Sequence, residues 1–220
     1  MPNWCETGVF FYGGAENELQ RLFTDINRIR EINQINNAFF KFENEYRLPF
    51  TLEPVPSEEA DPLWIGGLLY HVGQEASEVN CRGFFRAFDD ESEFAIQEDG
   101  GIGTCINCAW GPFVDVFQLI ANAYGQEFVF CAEEPNMGVY INTDISGQHF
   151  TDRYVLEWLL EGAVGEVRFS TEAALLEQLA ELKIIATSFE EAEKILNNLN
   201  EEAKKEGKED IGSVWKFREK

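Results

Sequence analysis

The stretch GTCINCAWGPFVDVFQLIANAYGQEFVFCA, residues 103–132, changes its hydrophobic period twice, and its reading decides the fold. Residues 103–110 suit a strand. Gly111-Pro112 then opens a helix, because proline fits the first helical turn and Asp115 lies near the positive end of the helix. Val116, Phe117, Ile120, Ala121 and Tyr124 form its buried face, and Gly125 is the stop. Residues 127–132 return to strand and pair with 139–143 as a hairpin across Pro135-Asn136-Met137-Gly138, a run of turn formers.

Upstream, Thr7-Gly8-Val9-Phe10-Phe11-Tyr12 reads as a strand ended by Gly13-Gly14. A helix follows with Leu19, Leu22, Phe23, Ile26 and Ile29 on one face, and with Arg21, Arg28 and Arg30 largely off it. Four prolines at 49, 54, 56 and 62 make residues 48–62 irregular, since each removes a backbone donor and restrains its predecessor. Residues 63–72 read as a short helix or an apolar plug, with Gly66 and Gly67 weakening the helix. Residues 82–87 and 93–97 suit strands joined by the acidic turn Asp89-Asp90-Glu91-Ser92. The order strand, helix, strands, helix, strands predicts an α+β fold, an antiparallel sheet with helices packed on one face.

Downstream, a strand is expected at 154–159 and a helix at 171–182. A last helix opens with Ser188-Phe189-Glu190-Glu191, a capping box in which Ser188 and Glu191 satisfy each other's end donors. Its core face is Ala192, Ile195, Leu196 and Leu199, and it ends at Lys204, Lys205 and Gly207. The expected organisation is a core over 1–150 with an irregular insertion at 48–80, then a C-terminal α/β extension over 151–220. That extension either completes a second unit like the first or forms a helical cap.

An apolar share of 45%, with 19 phenylalanines, is that of a folded globular chain. The longest apolar runs, 63–72 and 154–164, fall short of the roughly 20 residues a membrane span requires, so no membrane is expected as partner. Met1-Pro2-Asn3-Trp4-Cys5-Glu6 has no basic region before an apolar stretch, so a cytoplasmic location is expected. Five cysteines, an odd number, favour buried thiols over a disulfide framework. The formal net charge is -23, and residues 50–140 hold 16 acids against Arg82 and Arg86 alone. Such a surface repels nucleic acid, which is bound by clustered Lys and Arg, and it repels an acidic membrane leaflet too.

Four segments then stand out in order: Met1-Pro2-Asn3-Trp4-Cys5; Glu53-Pro54-Val55-Pro56-Ser57-Glu58-Glu59; Ala109-Trp110-Gly111-Pro112; and Glu133-Glu134-Pro135-Asn136-Met137-Gly138. Over about residues 1–150 the chain resembles the YubB-like ferredoxin-domain family, small proteins of phages, prophages, plasmids and some bacterial chromosomes. The resemblance implies a ferredoxin-like fold of βαββαβ topology, with no iron–sulfur cluster, and it implies no activity. The stretch 63–80 and the long C-terminal third depart from the family pattern.

Candidate chemistry is thin. Cys105-Ile106-Asn107-Cys108 is the sole CxxC, and Cys81 and Cys131 are available as further zinc ligands. It lies in an expected strand, however, where residues three apart point to opposite faces. A redox CxxC opens a helix, and here the helix starts later. Gly100-Gly101-Ile102-Gly103 lacks the lysine and the following helix of a phosphate loop, so a hairpin turn is expected. His71 and His149 are the two histidines, and neither has an assigned acid partner. No residue is therefore assigned as catalytic or metal-binding, and no cofactor is expected.

The expected function is that of a protein-interaction module that docks through an acidic surface on a basic protein surface, in its sharpest form as a mimic of nucleic acid. The residues expected to carry this are Asp89, Asp90, Glu91, Glu93, Glu98, Asp99, Glu133 and Glu134. The alternative is a metal-dependent or carboxylate-based enzyme built on Cys105, Cys108, Glu133 and Glu134, against which Glu133-Glu134 reads as a solvated hairpin with Trp110 as a core aromatic nearby. Self-assembly through an exposed sheet edge or the C-terminal helices is a third reading.

Overall fold

The computed structural model describes residues 3–36, 65, 68–69, 82–85, 96–97, 100–160 and 163–219. The acidic turn at 89–92, Glu93, Glu98, Asp99, Cys81, His71 and most of the 48–80 insertion lie outside the described residues. The chain divides into two compact units, residues 1–139 and 140–220.

The first unit follows the expected alternation. Strand β1 (Trp4–Tyr12) is followed by helix α1 (Glu16–Asn36), β2 (Gly83–Phe85), β3 (Ile102–Ala109), α2 (Val114–Ala123) and β4 (Glu127–Glu134). A 3-10 turn, Pro135–Met137, leads into β5 (Val139–Asn142), which carries the boundary between the units. The sheet order is β2-β3-β1-β4-β5, and β1 runs antiparallel to both β3 and β4. The fold is α+β, with an antiparallel five-stranded sheet.

Alternation along β1 separates two sheet faces. Cys5, Thr7, Val9 and Phe11 are buried, in register with Cys108, Ile106, Thr104 and Ile102 of β3. That side takes α2, whose Phe117 ring lies 5.9 Å from Phe130 and 6.1 Å from Phe128. The expected face of α2 is the buried one: Val116, Phe117, Ile120, Ala121 and Tyr124. Gly125 stops the helix at φ +59, a left-handed conformation that only glycine adopts cheaply. The helix begins at Val114, later than Pro112 suggests, because Phe113 takes the capping position at φ -91, ψ 66.

Helix α1 buries Leu19, Leu22 and Ile26. It is tied to the end of α2 by three contacts. The Arg21 guanidinium donates to the Ala123 carbonyl at 2.7 Å and lies 4.6 Å over the Tyr124 ring, whose hydroxyl donates to Asp25 at 2.9 Å. In the insertion, Ile65, Leu68 and Leu69 are fully buried, and the Ile65 N–H donates to the Gly83 carbonyl at 3.0 Å.

The second unit has a three-stranded antiparallel sheet in the order β7-β6-β8, from β6 (Tyr154–Leu160), β7 (Ala163–Phe169) and β8 (Gly212–Lys216). Helices α3 (Glu172–Glu181) and α4 (Phe189–Lys205) cover one face, with Leu156, Leu175, Leu179, Ala192, Leu196 and Val214 in the core. The periodicity of the sequence misses β7 and β8. Gly165 interrupts β7, yet it is required there, because a Cβ would come within 2.4 Å of the Trp158 indole. Ser188 caps α4 by accepting from the Glu191 N–H at 3.2 Å. The reciprocal arm of the capping box is shifted: the Glu191 carboxylate accepts from the N–H of Thr187 at 2.8 Å and from its hydroxyl at 2.6 Å.

The loop after β5 is organised by one buried carboxylate. Asp144 accepts from the Ser146 hydroxyl and from the N–H groups of Gly147, His149 and Phe150. Burial pushes its pKa up, but these four donors outweigh that and hold it at about 2. Among the described residues, no helix is long and apolar enough to cross a membrane.

Candidate interaction surface

Three of the four segments singled out in the sequence meet at one end of the first unit's sheet. Trp4 begins β1 opposite Ala109, the last residue of β3. Because β4 runs antiparallel to β1, Pro135–Met137 leave the sheet at that same end. The chain turns after β3 through Trp110, whose N–H donates to the Asn3 carbonyl at 2.8 Å. Trp110 adopts φ +75, where a side chain with a Cβ is strained, and a bulky aromatic there is an outlier.

This end is also where large apolar side chains face solvent. Trp110 is 49% exposed, Trp4 43% and Val114 44%, and Met137 is exposed as well. The turn residues Trp110, Gly111, Pro112 and Phe113, with Val114 and Asp115, line a concavity of about 370 Å³. Trp4 makes an edge-to-face contact with Phe84 at 5.9 Å. Sequence reading treats Trp110 as a core aromatic and so misses this cluster; the Trp-Gly-Pro turn is its one sequence signal.

Glu133 and Glu134, expected to act together, are separated by the pleat. Glu133 is half-buried beside Glu6 on the face opposite the helices. Glu134 is buried on the other face, and its carboxylate accepts from the Met137 N–H and the Asn136 side-chain amide. Its charge is thus committed to shaping the turn and is withdrawn from the surface. The same pleat divides the two CxxC cysteines, as strand geometry demands. Cys105 is half-buried, with its thiol 3.8 Å from the Glu6 carboxylate. Cys108 is fully buried, and burial pushes its pKa up to about 12 despite the Thr7 hydroxyl nearby. The four residues of the enzyme reading therefore fall two and two on opposite sides of the sheet. Among the described residues, no group of three or more His, Cys, Asp and Glu is placed to hold a metal ion.

The glycine run forms the expected hairpin turn. Ile96 bridges to Ile102, and the Gln97 N–H donates to the Gly101 carbonyl at 2.8 Å. Gly101 is required here, since a Cβ would meet the Phe10 ring at 2.2 Å. His149 contributes its backbone N–H to Asp144. In the second unit, Glu157, Trp158, Glu166, Asn200, Asp210, Gly212 and Ser213 line a hollow of about 400 Å³. Glu157 is already engaged there by the Ser213 hydroxyl at 3.0 Å and the Trp215 indole N–H at 3.1 Å.

No family model, no curated protein and no solved structure matches the chain.

Proposed function

We propose that this chain is a protein-interaction module whose first unit is a ferredoxin-like domain, akin to the YubB-like family, and whose partner is a basic protein surface. The observation that carries the reading is Trp110, held at φ +75 with half of its surface in solvent. Backbone strain of this kind costs about 1–3 kcal/mol and persists where surrounding structure imposes it, often at sites of function. An exposed tryptophan beside a concavity is also the residue type that dominates binding energy at interfaces. Trp4 and Val114 extend the apolar area, and Asp115 lies in the wall of the concavity.

The partner's charge follows from electrostatics. With 16 acids against two bases over residues 50–140, a basic surface is steered toward this unit and an acidic one is repelled. The ferredoxin-like assignment is supported by the βαββαβ order and by β1 lying between β3 and β4. A chain that presents carboxylates where a nucleic acid presents phosphates is the sharp form of the proposal.

The test uses a peptide array of graded charge, each peptide carrying the same apolar anchors, probed with wild-type protein and Trp110→Gly at low and high salt. Retention should rise with Lys and Arg content, weaken at high salt and drop in the variant. Equal retention of acidic and basic peptides, or an unchanged profile in Trp110→Gly, overturns the proposal.

A further inference from the structure

We infer that β7 is a self-complementary edge, through which two copies of this chain pair to extend the sheet of the second unit. β7 is the terminal strand of the order β7-β6-β8, and among the described residues β6 is its strand neighbour. An edge strand presents a row of backbone donors and acceptors that template another strand. Glu166 and Arg168 on β7 are exposed and lie on the face opposite α3 and α4, while Gly165, Val167 and Phe169 alternate with them on the helix side.

The occupant follows from the order of charges along the strand. A two-fold axis normal to the sheet pairs β7 with its copy antiparallel and leaves one residue facing itself. Centring on Glu166 sets two carboxylates opposite each other, and centring on Arg168 sets two guanidinium groups opposite each other. Centring on Val167 places Glu166 opposite Arg168 twice, Val167 against Val167, and Gly165 opposite Phe169. Directly opposed residues of opposite charge stabilise a strand pair, and like charges destabilise it. One register is therefore favoured among the three, and it aligns β7 residues 165–169 with their copies.

Within a single chain Arg168 already lies 2.8 Å from Glu166 and 3.9 Å from Asp152, so its guanidinium is held at this edge before a second copy arrives. A chain of the same net charge of -23 is otherwise a poor partner for itself, which puts the selectivity on these two residues. No basic patch of a foreign partner is needed to explain the alternation of Glu166 and Arg168.

Sedimentation equilibrium on the full chain at moderate salt tests this, with circular dichroism as a control for folding. Wild-type protein should show a monomer–dimer equilibrium. Arg168→Glu should weaken it by about tenfold or more, since both cross-copy pairs become repulsive. The double variant Glu166→Arg with Arg168→Glu restores opposite charges in the same register and should recover dimerisation. A wild-type protein that stays monomeric overturns the inference. So does an Arg168→Glu variant that dimerises as well as wild type, or a folded double variant that remains monomeric.

Discussion

Cys105 and Cys108 belong to one strand and face opposite sides of it, the first half-buried beside Glu6 and the second fully buried. Their chemistry should diverge accordingly. Alkylation of the native protein near neutral pH is expected to reach Cys105 first. Cys108, with a pKa pushed to about 12, lacks both thiolate and access. Peptide mass spectrometry after brief alkylation should find Cys108 modified more slowly by a factor on the order of 10³ or more, the least that global unfolding imposes. Comparable rates would mean that β3 opens locally.

Trp110 offers a direct measure of backbone strain. Trp110→Gly removes the Cβ penalty at φ +75, whereas Trp110→Ala keeps it. Chemical denaturation should find the glycine variant more stable than the alanine variant by about 1 kcal/mol. The opposite order would show that the turn is unstrained.

The Asp144 loop makes stability depend on acid. Its carboxyl titrates at about 2 against an ordinary 3.8, so the folded state holds the proton less tightly than the unfolded chain does. The stabilisation is whole above about pH 4 and is lost as the pH falls toward 2. Asp144→Ala strands partly buried N–H donors of Gly147, His149 and Phe150 and should cost about 1–3 kcal/mol at neutral pH. In the variant, the decline of stability between pH 4 and 2 should be shallower, as measured by thermal unfolding across that range.

Ser188→Ala removes the cap of α4 and should cost about 1 kcal/mol, with Ser188→Asp close to wild type. The Glu191 carboxylate bonds Thr187 while its N–H bonds Ser188, so both positions belong to one hydrogen-bonded turn. A double-mutant cycle of Ser188→Ala with Glu191→Ala should therefore show a coupling of about 0.5 kcal/mol or more, and additive losses would mean that the two arms act separately.

Elements with a strong period were legible in the residues alone. The α2 face from Val116 to Tyr124 states its environment directly, because burial imposes the period. Residues 7–12 read as a strand from their apolar run, and Val9, Phe10 and Phe11 are buried in succession. What escaped was set by partners distant in sequence. Gly165 argues against a strand until Trp158 is seen lying over it, and residues 212–216 are too short to announce β8 beside a charged helix end. At the candidate surface, the adjacency of Glu133 and Glu134 in sequence suggested joint action, and the pleat sends them to opposite faces. Trp110 misled in the other direction: its size argued for the core, and a left-handed turn carries it outward.

The knot around Asp144 has a consequence for variation. Three of its four bonds run to main-chain N–H groups, which every residue except proline supplies. Ile145, 74% exposed at the bend, and Gln148 beside it contribute no side-chain atom to that scaffold. Substitution at these two positions should therefore leave the bend intact, making it a platform on which new recognition can be grafted without renegotiating the fold.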